Sequence, residues 1–267
     1  MPTLSDKSKS FLIKANLLAF ILHLSLAIVT GIVSNIDLSP AIYVTKVTFI
    51  YNSSDEGFDL LPRYETYSGY PVNILTTVFF SITAFFHLAN VTIFAKTYYK
   101  CLEQCFTPTR WLEYLITATI IIGIIAFLTG VRSVLVVIGV SGLIATTMLF
   151  GLLSELYNRP RASADAWTLP TFAMRAVPHF LGYVPYAFAW FIILYSFFGA
   201  GGTCEAPDWV WAIVLGQFVI FSTFVIPQIY QLTNPPSKFV RGEYGFILLS
   251  FIAKAFLGIN LLIGGQN

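Results

Sequence analysis

Charge is what this sequence has least of. Asp, Glu, Lys and Arg make up 10% of its 267 residues, where a soluble domain carries about 25%. Apolar side chains fill the deficit at 57%, and the mean hydropathy is +0.76. That balance excludes a water-soluble globule and reads as a membrane protein. A net charge of +2 gives no electrostatic footprint for a nucleic-acid partner. Three cysteines imply no disulfide framework, and no His, Cys and carboxylate spacing looks like a metal site. There is no internal repeat, low-complexity tract or soluble appendage. The first apolar run lacks a small-residue cleavage site, so it reads as a span and not as a signal peptide.

What is present in quantity is long apolar runs. About 20 apolar residues cross the hydrocarbon, and seven segments qualify: 11–34, 72–95, 110–131, 133–157, 170–199, 207–231 and 243–264. The fold class is therefore all-α, one seven-helix membrane domain over 1–267. Pro178 and Pro185 fall inside the fifth span, where neighbouring helices re-satisfy the backbone. Basic residues choose the orientation. Lys7, Lys9, Lys14, Lys96, Lys100, Arg110, Arg159, Arg161, Lys238 and Arg241 share one side, against Lys46, Arg63 and Arg132 on the other. The N-terminus is expected to be cytoplasmic and the C-terminus external, by default in the plasma membrane. Cys204 is then external while Cys101 and Cys105 are cytoplasmic, so neither pairs with it.

The one long connection, 35–71, is external on this topology. Its stretch AIYVTKVTFIY (41–51) is rich in β-branched and aromatic residues and reads as a strand, with the next segment forming a small hairpin cap. Such a cap serves a partner or covers helix ends. Asn52-Ser53-Ser54 in the same loop is a glycosylation sequon.

Against this background FIAKAFLG (251–258) stands out, because one lysine interrupts an apolar run. Lys254 sits about 11 residues into its span, roughly 16 Å from either interface at 1.5 Å per residue. Its side chain cannot reach water from there. An intramembrane charge marks a functional site and needs a partner; the alternative is an ion pair that pins two helices. A lysine in an apolar site is nucleophilic when neutral and condenses with carbonyls to a Schiff base. Glu113, in RWLEYLITA (110–118), is the best counterion, although it can instead pair with Arg110 one turn earlier. A carboxylate about 4 Å from a protonated Schiff base contributes roughly 4 kcal/mol at an effective dielectric near 20. His23 in AFILHLSLA (19–27) and His87 in ITAFFHLAN (82–90) lie mid-span and share a polar pocket with Glu113, where they can receive a proton. Singly, each would read as a helix–helix hydrogen-bonder. His179 reads as a structural residue of span five, Arg132 as a solvated boundary residue, and Glu155 and Glu243 as charges at cytoplasmic ends.

Seven spans with a lysine at the centre of the last resemble a microbial rhodopsin. RWLEY together with FIAK and the inverted orientation resemble the heliorhodopsins over nearly the whole chain. The resemblance implies all-trans retinal bound covalently to Lys254, with Glu113 as counterion and Ser250, one turn before the lysine, close by. It places His23 and His87 in a cytoplasmic-side polar pocket and has Tyr114 support the chromophore. Thr83 stands where the family pattern has serine, a departure that keeps the hydroxyl. Met148 and Phe221 are candidate ring contacts or ordinary packing residues. A homodimer in the lipid bilayer is also implied.

A pump needs proton-exchanging groups on both sides of its switch. TIIIGIIAFLTG (119–130) and AFLGINLLIGG (255–265), the external halves of spans three and seven, contain neither acid nor base. The sequence therefore favours a light sensor that signals to a partner of unknown identity, with light-gated proton conductance as the alternative. A secondary transporter using a Lys254–Glu113 charge pair lacks the expected inverted repeat. An enzyme using the lysine as a catalyst lacks a polar substrate pocket, so the chain reads as a non-enzyme.

Overall fold

The computed structural model describes residues 3–33, 41–52, 54, 57–67, 69–160, 167–200 and 206–264, with the side chain of Val33 excepted. Cys204 and Arg161 lie outside these residues. Helices α1 (Asp6–Val33), α2 (Val72–Val91), α3 (Ala95–Glu103), α4 (Pro108–Leu128), α5 (Val134–Tyr157), α6 (Phe172–Gly199), α7 (Asp208–Ser222), α8 (Val225–Thr233) and α9 (Phe239–Gly264) follow one another, with a hairpin between α1 and α2. Among the described residues, seven spans are long and apolar enough to cross a membrane, the sixth being α7 and α8 in series. The protein is an integral, multi-pass membrane protein.

Local chemistry sets several of the boundaries. Pro108 opens α4, where its missing N–H costs nothing. Thr171 caps α6 by accepting from the Met174 amide at 3.3 Å. Pro178 and Pro185 sit within α6 without ending it. The sixth span does break. Pro227 has no N–H for the Thr223 carbonyl and its ring crowds that oxygen, so the carbonyl accepts from Ile226 at 2.9 Å and α7 gives way to α8. The sixth span, read from the sequence as 207–231, runs over Asp208–Thr233 with this break inside it. The connection after α2 holds the short helix α3, which apolar-run counting could not detect.

The helices close a ring: α1 packs on α2, α2 on α4, α4 on α5, α5 on α6, α6 on α8, and α8 and α7 on α9, which returns to α1. The outside is apolar. Leu18, Ile21, Phe188, Phe191 and Val219 are all exposed, as a lipid-facing surface requires. Polar side chains go inward, among them Asn16, His23, Thr83, His87, Glu113 and Lys254.

Strands β1 (Ile42–Asn52) and β2 (Gly57–Tyr67) pair antiparallel in register from Ile42 with Tyr67 to Asn52 with Gly57. The hairpin is tied to the bundle where the Tyr43 amide donates to the Arg132 carbonyl at 2.8 Å. Lys46 pairs with Glu65 at 2.6 Å, and Asn52 Nδ2 donates to Asp59 at 3.2 Å near the turn. This end of the bundle is called the hairpin end below, and the other, rich in Lys and Arg, the basic end.

Candidate functional site

Lys254 projects from α9 into the bundle, and only 6% of it is exposed. Its ammonium donates to Thr83 Oγ1 of α2 at 3.0 Å and forms an ion pair with the Glu113 carboxylate of α4. The Phe79 and Tyr114 rings stand 5.6 and 5.5 Å away, within cation–π range. Three helices thus meet at one nitrogen. Arg110 does not compete for Glu113, because its two Nη atoms are engaged by Glu243 of α9 and Glu155 of α5.

That second cluster corrects the reading of Glu155 and Glu243 as solvated end charges. Both are buried, as is Arg110. The Tyr98 hydroxyl donates to Glu243 at 3.0 Å, and the Thr107 amide donates to Glu155 at 2.7 Å. The guanidinium lies 3.8 Å from the Phe246 ring centroid. Two carboxylates facing one guanidinium leave a negative charge that these N–H and O–H donors help to satisfy. Arg132 is likewise not merely solvated, since its guanidinium stacks 4.2 Å from the Phe127 centroid.

The two histidines stand together. Their rings stack at 5.5 Å, and Asn16, a residue the sequence reading passed over, joins them. Asn16 Nδ2 donates to the Leu12 carbonyl at 2.9 Å, which turns its Oδ1 toward His87 Nδ1, also at 2.9 Å. An amide oxygen only accepts, so His87 Nδ1 carries a hydrogen. In the neutral ring Nε2 is then a free lone pair, and it has no partner among the described residues. Both ring nitrogens of His23 are also buried without one.

On the other side of Lys254 opens a cavity. Tyr114, Met148, Phe221 and Ser250 all line it, together with the lysine. Thr83, Glu113, His23 and His87 are not among the lining residues. The Tyr114 hydroxyl donates to the Phe246 carbonyl at 3.3 Å, fixing its ring, while Ser250 Oγ is buried without a partner. Trp111 lies against Gly151, where any Cβ would collide with the indole. His179 lines this cavity as well.

Signals for the missed residues existed. Asn16 and His23 are seven apart and share a helix face, as do Glu243, Ser250 and Lys254 at spacings of seven and four. The partnership of Arg110 with Glu155 has no such signal, because it joins different helices.

A buried amine at the edge of a large aromatic-lined cavity, with a carboxylate behind it, fits a long apolar aldehyde. The comparisons agree. A solved structure of the light-driven proton pump LR (Mac) from Leptosphaeria maculans matches with a TM-score of 0.50 at 11% identity, covering 100% of this chain and 97% of that one. At such identity the match carries the fold alone. Among curated proteins there is no significant match. The sequence model of the heliorhodopsins matches residues 12–265, nearly the entire chain, so this retinal-binding membrane protein belongs to the heliorhodopsin family.

Proposed function

We propose that the protein is a light sensor whose proton traffic stays within one half of the membrane. The observation that carries this reading is the one-sided placement of ionisable groups. His23, His87, Glu113 and the Arg110 cluster extend from Lys254 toward the basic end, whereas 119–128 of α4 and 255–264 of α9 contain no acid or base.

When bound, all-trans retinal supplies a light-absorbing polyene and an aldehyde carbon for the Lys254 amine. The chain's residues do the rest. Tyr114, Met148 and Phe221 pack the cavity and exclude water. Glu113 holds positive charge on the lysine nitrogen, and Thr83 accepts a hydrogen bond from it. His87, whose Nδ1 hydrogen is committed to Asn16, offers Nε2 as a proton acceptor, with His23 stacked beside it. Ser250, one turn from Lys254, supplies a further hydroxyl. A proton arriving on a histidine adds charge among packed helices, which is the kind of local change that biases a bundle between two arrangements. The N-terminus and basic end face the cytoplasm, in the plasma membrane, and the protein acts as a homodimer on a signalling partner.

Light-gated proton conductance is the second reading. The polar residues continue from Asn16 and His87 to Tyr98, Glu243 and Arg110 at the basic end, which favours it. Absorption after addition of all-trans retinal, followed by illumination of voltage-clamped membranes, tests both. A visible band with no sustained current supports the sensor. A steady current that follows the proton gradient replaces it with the conductor, and active transport against the gradient overturns both.

A further inference from the structure

The cavity is not apolar throughout. Lys254 borders it from α9, with its partners on α2 and α4, while His179 of α6 and Gln228 of α8, which packs between α6 and α9, line it as well. Both side chains are more than nine-tenths buried. Gln228 Nε2 donates to Ser154 Oγ at 3.3 Å, which leaves its Oε1 without a partner, and His179 Nε2 has none either. The Tyr183 ring stands edge-on to His179, with centroids 5.2 Å apart. Burying two polar atoms unpaired is costly, and a hydrocarbon ligand would leave both in that state.

We infer that these two residues form a hydrogen-bonding subsite for an oxygen substituent at the end of the retinoid remote from its aldehyde. A hydroxyl is the matching group. It donates to Gln228 Oε1, which can only accept, and accepts from a hydrogen on His179 Nε2. A ketone accepts alone and leaves Gln228 Oε1 unpaired. The ligand class is thus a ring-hydroxylated retinal, with plain retinal accepted less well. This rests on the reading of Lys254 as the site of retinal attachment.

The full-length apoprotein, offered a limiting equimolar mixture of all-trans retinal and its 3-hydroxy derivative, reports the preference when the bound retinoids are extracted and separated chromatographically. One net hydrogen bond enriches the hydroxylated form about five-fold. The enrichment disappears in His179→Phe and in Gln228→Leu, and either variant suffices if the other fails to fold. Equal uptake of the two retinoids by the unsubstituted protein overturns the subsite. So does an enrichment that persists in a folded variant. Uptake of neither retinoid would instead overturn the attachment at Lys254, and the subsite with it.

Discussion

The two halves of the membrane interior are built from different materials. Toward the hairpin end, Ile121, Ile122, Ile125 and Ala126 of α4 are all but completely buried, in a core that includes Ile193 and Leu257. Toward the basic end, the same helix carries Arg110 and Glu113, both buried and both ion-paired. The dry half needs only close packing, and substitutions there change stability through volume. In the polar half each charge is tolerable only because a partner from another helix meets it, and removing one partner strands the other. The difference gives a charge displaced at Lys254 acceptors in one direction and hydrocarbon in the other.

The strongest way to break this contrast is to remove the amine. Lys254→Ala is expected to abolish the visible band formed with retinal, and Lys254→Arg, which keeps a cation beside Glu113 but cannot condense with an aldehyde, to abolish it equally. A band surviving in either variant refutes attachment at Lys254. Next in size is Glu113→Gln. Loss of a contribution of roughly 4 kcal/mol at close range should lower visible absorbance at pH 7 roughly ten-fold or more, with a near-ultraviolet band replacing it. An unchanged spectrum would show that another group holds the charge.

Arg110→Gln tests the second cluster. Stranding two buried carboxylates costs about 3–5 kcal/mol, which corresponds to a melting point lower by roughly 10 °C, while the visible band is retained. Ile125→Val, in the dry half, should cost only about 1 kcal/mol and leave the spectrum alone; a spectral shift would mean that the halves are coupled. The smallest effect belongs to the exposed hairpin. The Lys46 hydrogen bond holds the Glu65 carboxyl below its usual range, and the Glu65 hydrogen bond holds Lys46 above its own. The Glu65 contribution is therefore present above the ordinary carboxylate range and lost as pH falls through its lowered value. The Lys46 contribution is lost as pH rises through its raised one. Lys46→Ala should slightly increase amide exchange in β1 at neutral pH and flatten its pH dependence, an effect that salt also suppresses.

Much of this was legible in the residues because it is written along single helices. Apolar length located the spans, and an isolated lysine at mid-depth located its own importance. The pairing with Glu113 followed from the need of a buried cation for an anion. What could not be read were features that exist only across helices. Glu155 and Glu243 sit near helix ends, where water is the default partner, and only packing shows that Arg110 takes its place. Gln228 sits one residue after a proline, which draws attention to the helix break and away from the side chain facing the cavity. Helix α3 was hidden because it is short and too polar to register as a span.

The ion pairs of the polar half have a consequence for biosynthesis. Arg110 and Glu113 lie near the start of α4 and Glu155 near the end of α5, while Glu243 and Lys254 arrive only with α9. During translation the earlier spans therefore enter the bilayer holding charges whose final partners have not yet been made. Glu113 waits for the last span outright. Closure of the bundle is thereby tied to the arrival of α9, and a polypeptide halted before it holds an intramembrane carboxylate without its final partner.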